Sequence, residues 1–445
     1  MYELVELNKE EYEKFVKPNK YKSHFLQSYA WGVFASKKKN LKPYFLGLKK
    51  NKKTVAACLL LQKKLPMGYS YFYSPRGFVL NFEDEETFNE MTKQVVEFAK
   101  KKKGIFVKID PDIIRKRYNY LNEEIENSYD FEKIFSMIKK AGFKHLGFTK
   151  NFETMQPRYS FRIDLTQSID DIKNHFSKTT KQRINKAIKL GTEVEIGTEK
   201  DLDEFYRLMM ITEERKDFVS YGADYYKELY KIFNEDNKMT LFLGKIYPEK
   251  ILKELTEREK SITESIKDIP EENMSKSAKN KLKEANRQLE SVQKDIEKYQ
   301  TVLEKYGKVI TLNAHMIIEY GDKAWVLYAG NENILSETYS NYHTYQTHLE
   351  YCKNQGYKIY DQFGTIGDLS ENNPRLGLHE FKKKFGGDYV EFIGEFDYIT
   401  NKFMYFVFTK LVPVYRKIVK KKSKKVLHNE VKANRNNWKR IWKIC

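Results

Sequence analysis

Cysteine is scarce in this chain of 445 residues: Cys58, Cys352 and Cys445 stand far apart. They make neither a pair with zinc-ligand spacing nor an even disulfide framework, which argues against a thiolate metal centre and for a reducing compartment, the cytosol. Long apolar runs are missing too. Nowhere do eighteen consecutive apolar residues occur, and the opening MYELVELNKEEYEKF has no apolar stretch behind a basic segment, so neither a membrane span nor a secretory leader is expected. No P-loop and no His-Glu-x-x-His can be found, which removes Walker-type nucleotide hydrolysis and zinc hydrolysis. The eight histidines fall in no catalytic signature. Acyl-coenzyme A acetyltransferases cradle pyrophosphate with Gln or Arg three residues before a Gly; no glycine here has that neighbour, so coenzyme A is disfavoured as a donor.

What the chain has in plenty is aromatic and basic residues. With 32 Tyr and 29 Phe it has the means to fill a core, and its length suggests two or three domains. A formal charge of +19 suits a polyanionic partner, for which tRNA, other nucleic acid and anionic lipid all qualify, although a solvated lysine-rich surface gives the same excess.

The first 150 residues alternate strand-like and helix-like runs. PYFLGLKK and TVAACLLLQKKL, joined by the turn-forming NKK, precede a third strand YSYFYSPRGFVL, a helix over EETFNEMTKQVVEFAKKKK and the strand GIFVKID. SYDFEKIFSMIKKAGF is a helix ended by Gly142. A second α/β unit occupies 151–247 and resumes at 307–410, with β-rich runs around YGDK, a helix at 340–355 and the strand YKIYDQF. Between them, 248–306 is poor in aromatics. Leu252, Leu255, Glu259, Ile262, Ile266 and Ile269 alternate spacings of three and four up to Pro270. Ala278, Leu282, Ala285, Leu289, Val292, Ile296, Tyr299 and Leu303 do so on the way back. That period predicts an antiparallel helical hairpin inserted in the second unit, a solvated spacer or a surface for a large ligand. The segment 411–445 mixes aromatics with cations and suits a lipid surface, RNA phosphate or packing on the body.

Several short motifs group glycine, aromatic and charge as a phosphate-binding cleft would: FLQSYAWG with Trp31, YSPRG with Arg76 between Pro75 and Gly77, and GLHEFKKKFGG with Phe381 and Lys382. Together with the IDP at 109–111, QPRYSFRIDL, KTTKQRINKAIKLG, TEERKDF, LYAGN and YDQFG, they resemble the FemABX family of peptidoglycan-bridge aminoacyltransferases over residues 20–410. The resemblance implies two tandem acetyltransferase-like α/β subdomains, the first over 1–150. It also implies transfer of an amino acid, here expected to be glycine, from aminoacyl-tRNA to the stem-peptide amine of lipid II or of UDP-MurNAc-pentapeptide. Aminoacyl-tRNA is then a co-substrate, no metal or other cofactor is expected, and the protein would work at the cytoplasmic face of the membrane.

Residue by residue, the resemblance makes Lys382, with Phe381, the stabiliser of the tetrahedral oxyanion and Asp110 a base for the amine. Arg215, Tyr328 and Tyr221 fall in segments that hold the precursor in relatives, and Arg76 and Trp31, from the motifs above, are further candidates to bind substrate. A family lysine three places after Trp-Gly is here Ala35, with Lys37 and Lys38 nearby and Lys37 taken as the substitute, and Phe78 and Asn81 stand where relatives have Pro and Asp. Lys178, Lys181, Arg183 and Lys186 crowd one helix, expected to neutralise diphosphate or tRNA backbone, with Ile184, Ala187, Ile188 and Leu190 as its buried side. Two other readings stay open: an acyl-coenzyme A-dependent N-acyltransferase, and a non-catalytic RNA-binding module with a coiled-coil arm.

Overall fold

The computed structural model describes residues 1–18, 23–216, 221–236, 238–269 and 275–413. The chain builds two sheets in a mixed α/β architecture. In spatial order, the first consists of Tyr2–Glu6, Leu41–Lys50, Lys53–Lys64, Ser70–Ser74, Gly104–Ile109, Phe396–Ile399 and Phe143–His145. The second runs Glu193–Gly197, Met239–Ile246, Ile310–Tyr320, Lys323–Asn331, Ile359–Asp361, Tyr159–Asp164, Asp388–Phe392, Ile114–Tyr118 and Glu124–Ile125. The expected NKK turn is a tight hairpin, with Asn51 at φ 51° and Lys52 at φ 69°, the left-handed pair that a two-residue connection between twisted strands requires.

The run YSYFYSPRGFVL is not one strand. Pairing stops at Ser74, because Arg76 turns left-handed (φ 53°) and gives its N–H to the Asp110 carboxylate, 2.7 Å away, instead of to a ladder. Val79 makes a lone bridge to Ala57. Nor do the sheets part at residue 150. Ile114–Tyr118 leaves the first unit for the second sheet, and Phe396–Ile399 returns to the first, between Gly104–Ile109 and Phe143–His145. The two crossings bond each other, Ile393 N–H to Ile113 O at 2.8 Å. Lys108 anchors the returning strand through Glu395 and Asp397, each 2.9 Å away.

On one face of the first sheet lies the helix Glu85–Lys101, capped by Asp84, with Phe88, Met91, Val95 and Ala99 at helical spacing against Leu46, Leu60, Phe72 and Val107. From the other face Phe45, Leu59 and Leu61 enter a single apolar cluster with Phe205, Phe233, Leu241, Leu243, Met316 and Trp325 of the second half. Each such side chain contributes roughly 1.5–3 kcal/mol on burial, so the halves share a core.

The inserted hairpin is formed by Pro248–Ile266 and Lys276–Tyr306, between the adjacent strands Met239–Ile246 and Ile310–Tyr320. All fourteen positions named from the spacing are buried or half-buried, and Ala285, Val292 and Tyr299 repeat every seven residues on the sealed seam. Ile251, Tyr299 and Val302 fix its base to Ile246, Ile310 and Leu312. No helix among the described residues is long and apolar enough to cross a membrane. Of the basic aromatic segment, 411–413 close a short helical run and 414–445 lie outside the described residues.

Candidate active site

At the edge of the shared core the two halves leave a cavity of about 1030 Å³. Among the described residues, five cationic side chains, Lys38, Lys63, Arg215, Arg375 and Lys382, line it against one carboxylate, Glu332. Such a wall favours a ligand carrying several negative charges.

Lys382 sits near the end of the helix Leu376–Lys383, with its Nζ donating to the carbonyls of Phe363 and Gly364, both at 2.8 Å. Burial lowers its pKa from 10.5 to about 7, against the opposing pull of Asp361. The carbonyls are aimed by a built turn. Phe363 is left-handed (φ 56°) although it is not glycine, and its N–H donates to Asp361 Oδ1 at 2.8 Å. Asp361 is held in turn by the Ser160 hydroxyl and by Arg162 Nε at 2.7 Å. Arg162 Nη2 reaches both oxygens of Asp112 at 3.0 Å, and the cations around Asp112 (Arg162 first, then Lys323) hold its carboxyl well below the usual range despite burial. Gln362 Nε2 donates to Lys382 O at 3.1 Å, which ties the helix end to the same turn. Phe381 packs edge-on against Tyr342, Tyr345 and Phe385 and faces the cavity beside Lys382.

Another stretch of the wall is aromatic. Tyr221 stacks on Tyr225 with ring centres 3.8 Å apart, and the Tyr225 and Tyr328 hydroxyls meet at 3.0 Å, with burial raising the Tyr328 pKa. Lys38 Nζ lies 5.0 Å from the Tyr225 ring centre and 5.7 Å from that of Tyr221, and its pKa is lowered by burial and by Lys63. Trp31 lines the same side, edge-on to Phe25. Arg215 comes from the helix Leu202–Lys216 and bonds Asn333 Oδ1 at 2.9 Å.

Three sequence expectations are corrected here. Lys37 does not face the cavity. It caps the helix Tyr29–Ser36 on the outside and pairs with Glu228 at 3.5 Å, while Lys38, one residue and about 100° further round, points in. Asp110 is buried behind the wall, its oxygens taken by the Tyr73 hydroxyl (3.0 Å) and Arg76 N–H; burial raises its pKa to about 7, but Tyr73 is the group that reaches the cavity. Arg76 is also internal, donating to Pro157 O at 2.6 Å and lying over the Phe392 ring, so it braces the halves.

The basic helix Lys178–Lys189 starts at an N-cap, Ser177, and buries Thr180, Ile184 and Ala187. Ile188, expected inside, is 49% exposed because it stands on the flank of that stripe. Its cations divide. Arg183 meets the Tyr342 hydroxyl and, with Lys186, lies over the ring of Tyr339, at the cavity rim; Lys181 caps Asn174 O, and Lys178 is exposed away from it.

The FemAB family model matches residues 7–412. The chain belongs to the FemAB family. Among FemAB relatives, a lipid II:glycine glycyltransferase of Staphylococcus aureus (strain MRSA252) is 28% identical over 435 residues, 95% of this chain and 99% of the relative. A protein of the same name from Staphylococcus aureus (strain NCTC 8325 / PS 47) is 28% identical over 375 residues, 82% and 86% of the two chains. The crystal structure of FemX superposes with a TM-score of 0.77 at 25% identity, over 91% of this chain and 98% of that one.

Sequence reasoning named Lys37 and Lys38 together and chose Lys37, and it missed Tyr225 as partner of Tyr328 and the Asp112, Arg162, Asp361 ion network. The signal for the network was at hand. Asp361 and Arg162 stand inside YDQFG and QPRYSFRIDL, and two acidic residues flank the Pro of IDPD, yet only the fold brings the three together.

Proposed function

We propose that this FemAB protein transfers an aminoacyl group, glycine, from aminoacyl-tRNA to the side-chain amine of a peptidoglycan stem peptide, with lipid II as acceptor. The names of its relatives support glycine and lipid II. The observation that carries the reading is Lys382, a buried amine at the cavity wall whose hydrogen-bond partners among the described residues are two carbonyl oxygens.

The donor ester is already activated, so the protein has two tasks: to hold amine against carbonyl and to stabilise the charge that develops on the carbonyl oxygen. The amine nitrogen attacks the ester carbon, the C=O electrons move to oxygen, and the Lys382 ammonium takes that oxyanion as a third partner. Collapse breaks the ester C–O bond, and the ribose oxygen leaves as a hydroxyl by taking up the proton that the attacking amine loses. Lys38, Lys63 and Arg215 neutralise the acceptor's diphosphate, and the stacked Tyr221 and Tyr225 rings with Tyr328 edge-on to them supply an aromatic wall for its sugar. Arg183 and Lys186 at the rim hold the tRNA end. UDP-MurNAc-pentapeptide presents the same amine and diphosphate and is the soluble alternative acceptor. The basic segment 414–445 gives the protein a peripheral hold on an anionic membrane surface, where lipid II lies.

The test is transfer of label from a panel of charged tRNAs to lipid II and to UDP-MurNAc-pentapeptide, with and without ribonuclease. Ribonuclease-sensitive label from glycyl-tRNA that Lys382→Met lowers by roughly 10²–10³-fold is the expected result. Product from none of the charged tRNAs on either acceptor would overturn the assignment.

A further inference from the structure

Asn341 lies on the cavity wall at the start of the helix Ser340–Asn354, and a single file of hydrogen bonds runs inward from it. Its carboxamide oxygen is 2.8 Å from His315 Nε2, His315 Nδ1 is 3.1 Å from His348 Nε2, and His348 Nδ1 is 2.6 Å from the Tyr360 hydroxyl. His315, His348 and Tyr360 are all 0% exposed. Burial pushes both imidazoles down, His315 to about 4, so at neutral pH each ring carries one N–H. The file then has one of two directions.

The Tyr360 proton decides between them. Among the described residues its hydroxyl has one hydrogen-bond partner, His348 Nδ1. If that nitrogen carried the ring proton, the phenolic O–H would be buried without an acceptor, at a cost of about 1–3 kcal/mol. Tyr360 therefore donates to His348 Nδ1, His348 Nε2–H donates to His315 Nδ1, and His315 Nε2–H donates to Asn341 Oδ1. Both rings are held as the Nε2–H tautomer. The oxygen of Asn341 is spent inward, so its NH₂ is the part left to face the cavity.

We infer that Asn341 is a ligand-binding residue whose carboxamide N–H groups are aimed into the cavity, by the Tyr360, His348, His315 file, to take an oxygen acceptor of the substrate. A peptide carbonyl or carboxylate and a diphosphate oxygen share that chemistry. The choice of probes rests on the reaction proposed above; the direction of the file does not.

Nitrogen-15 NMR of the full-length protein labelled at His and Asn tests both parts. His315 and His348, assigned by single substitution, are expected as Nε2–H tautomers; two Nδ1–H tautomers would reverse the file and overturn the inference whether or not the protein is a transferase. The Asn341 side-chain amide, identified by its absence in Asn341→Asp, is then followed on adding UDP, a short peptide with a free carboxylate, and UDP-MurNAc-pentapeptide. A shift with UDP assigns the oxygen to the diphosphate, and one with the peptide assigns it to the stem. No shift with any of the three, under conditions where UDP-MurNAc-pentapeptide binding is seen by calorimetry, overturns the inference. In kinetics, Asn341→Asp puts an acceptor where a donor stood, so KM for the acceptor rises at least tenfold and by more than kcat falls, with Asn341→Ser giving a smaller rise; an unchanged KM in both would refute it.

Discussion

Replacing Lys382 with Met keeps an unbranched chain in the same hole and removes the amine. In the folded protein that amine sheds its proton near pH 7, where burial has lowered it from an ordinary 10.5. The unfolded chain keeps the proton up to the ordinary value. Between those limits the unfolded state binds more protons, so the wild type gains stability as pH rises, by up to about 1.4 kcal/mol per pH unit. The cost of burying the cation is fully felt below pH 7 and is gone by about pH 10, the ordinary lysine value. Lys382→Met has no such slope. Urea unfolding of the two proteins at pH 7, 8 and 9 isolates it, because every other titrating group cancels in the difference. The wild type is expected to gain on the variant at each step, while transfer in the variant is lower by roughly 10²–10³-fold, the loss that removal of one oxyanion donor brings. A stability difference that stays flat across the three pH values would refute the buried, depressed amine. A transfer rate within tenfold of wild type would refute its role.

Other outcomes follow from the neighbouring groups. Arg162→Leu removes the cation that Asp112 and Asp361 share, leaving Asp112 to Lys323 at 3.9 Å and Asp361 to neutral donors, and should cost about 3–5 kcal/mol at pH 7, read as a lower urea midpoint. Because the depressed Asp112 contributes stability above about pH 4 that is lost on acidification, the same variant should also show a shallower acid-unfolding curve. Lys38→Ala should raise the acceptor KM by about tenfold, one charged contact's worth, whereas Lys37→Ala should leave it within twofold; equal effects would refute the inward assignment of Lys38. Gly330→Ala brings a methyl within 2.8 Å of the Leu208 and Met209 backbone, so the helix bearing Arg215 must shift, with an expected loss of about 1–3 kcal/mol in thermal unfolding and a raised KM.

The hairpin was legible because fourteen apolar or tolerated positions repeat at three and four over two arms, and that period has few meanings other than a paired helix. The strands of the first unit were legible where a short apolar run lies between turn residues, as in Lys53–Lys64. Which sheet a strand joins was not. Ile114–Tyr118 reads IRKRY and Phe396–Ile399 reads FDYI, and nothing in so few residues says that they exchange sheets, since that depends on partners hundreds of residues away. At the site, motif identity found Lys382, Phe381, Arg215 and Tyr328 in the cavity wall, but not which way a side chain points. Lys37 and Lys38 differ by one step of a helix end, and Asp110 differs from a wall residue only by the Tyr73 ring in front of it.

The exchange of strands also bears on how the protein comes into being. On a ribosome the first 150 residues emerge long before Phe396–Ile399, yet Phe143–His145 joins its sheet only through that late strand. The nascent first half must therefore wait with one sheet edge open and Ile393 and Phe396 missing from its core. A gene cut at residue 150 would yield a fragment with that gap made permanent, and chain completion, rather than release of an early domain, is the event that lets the enzyme close.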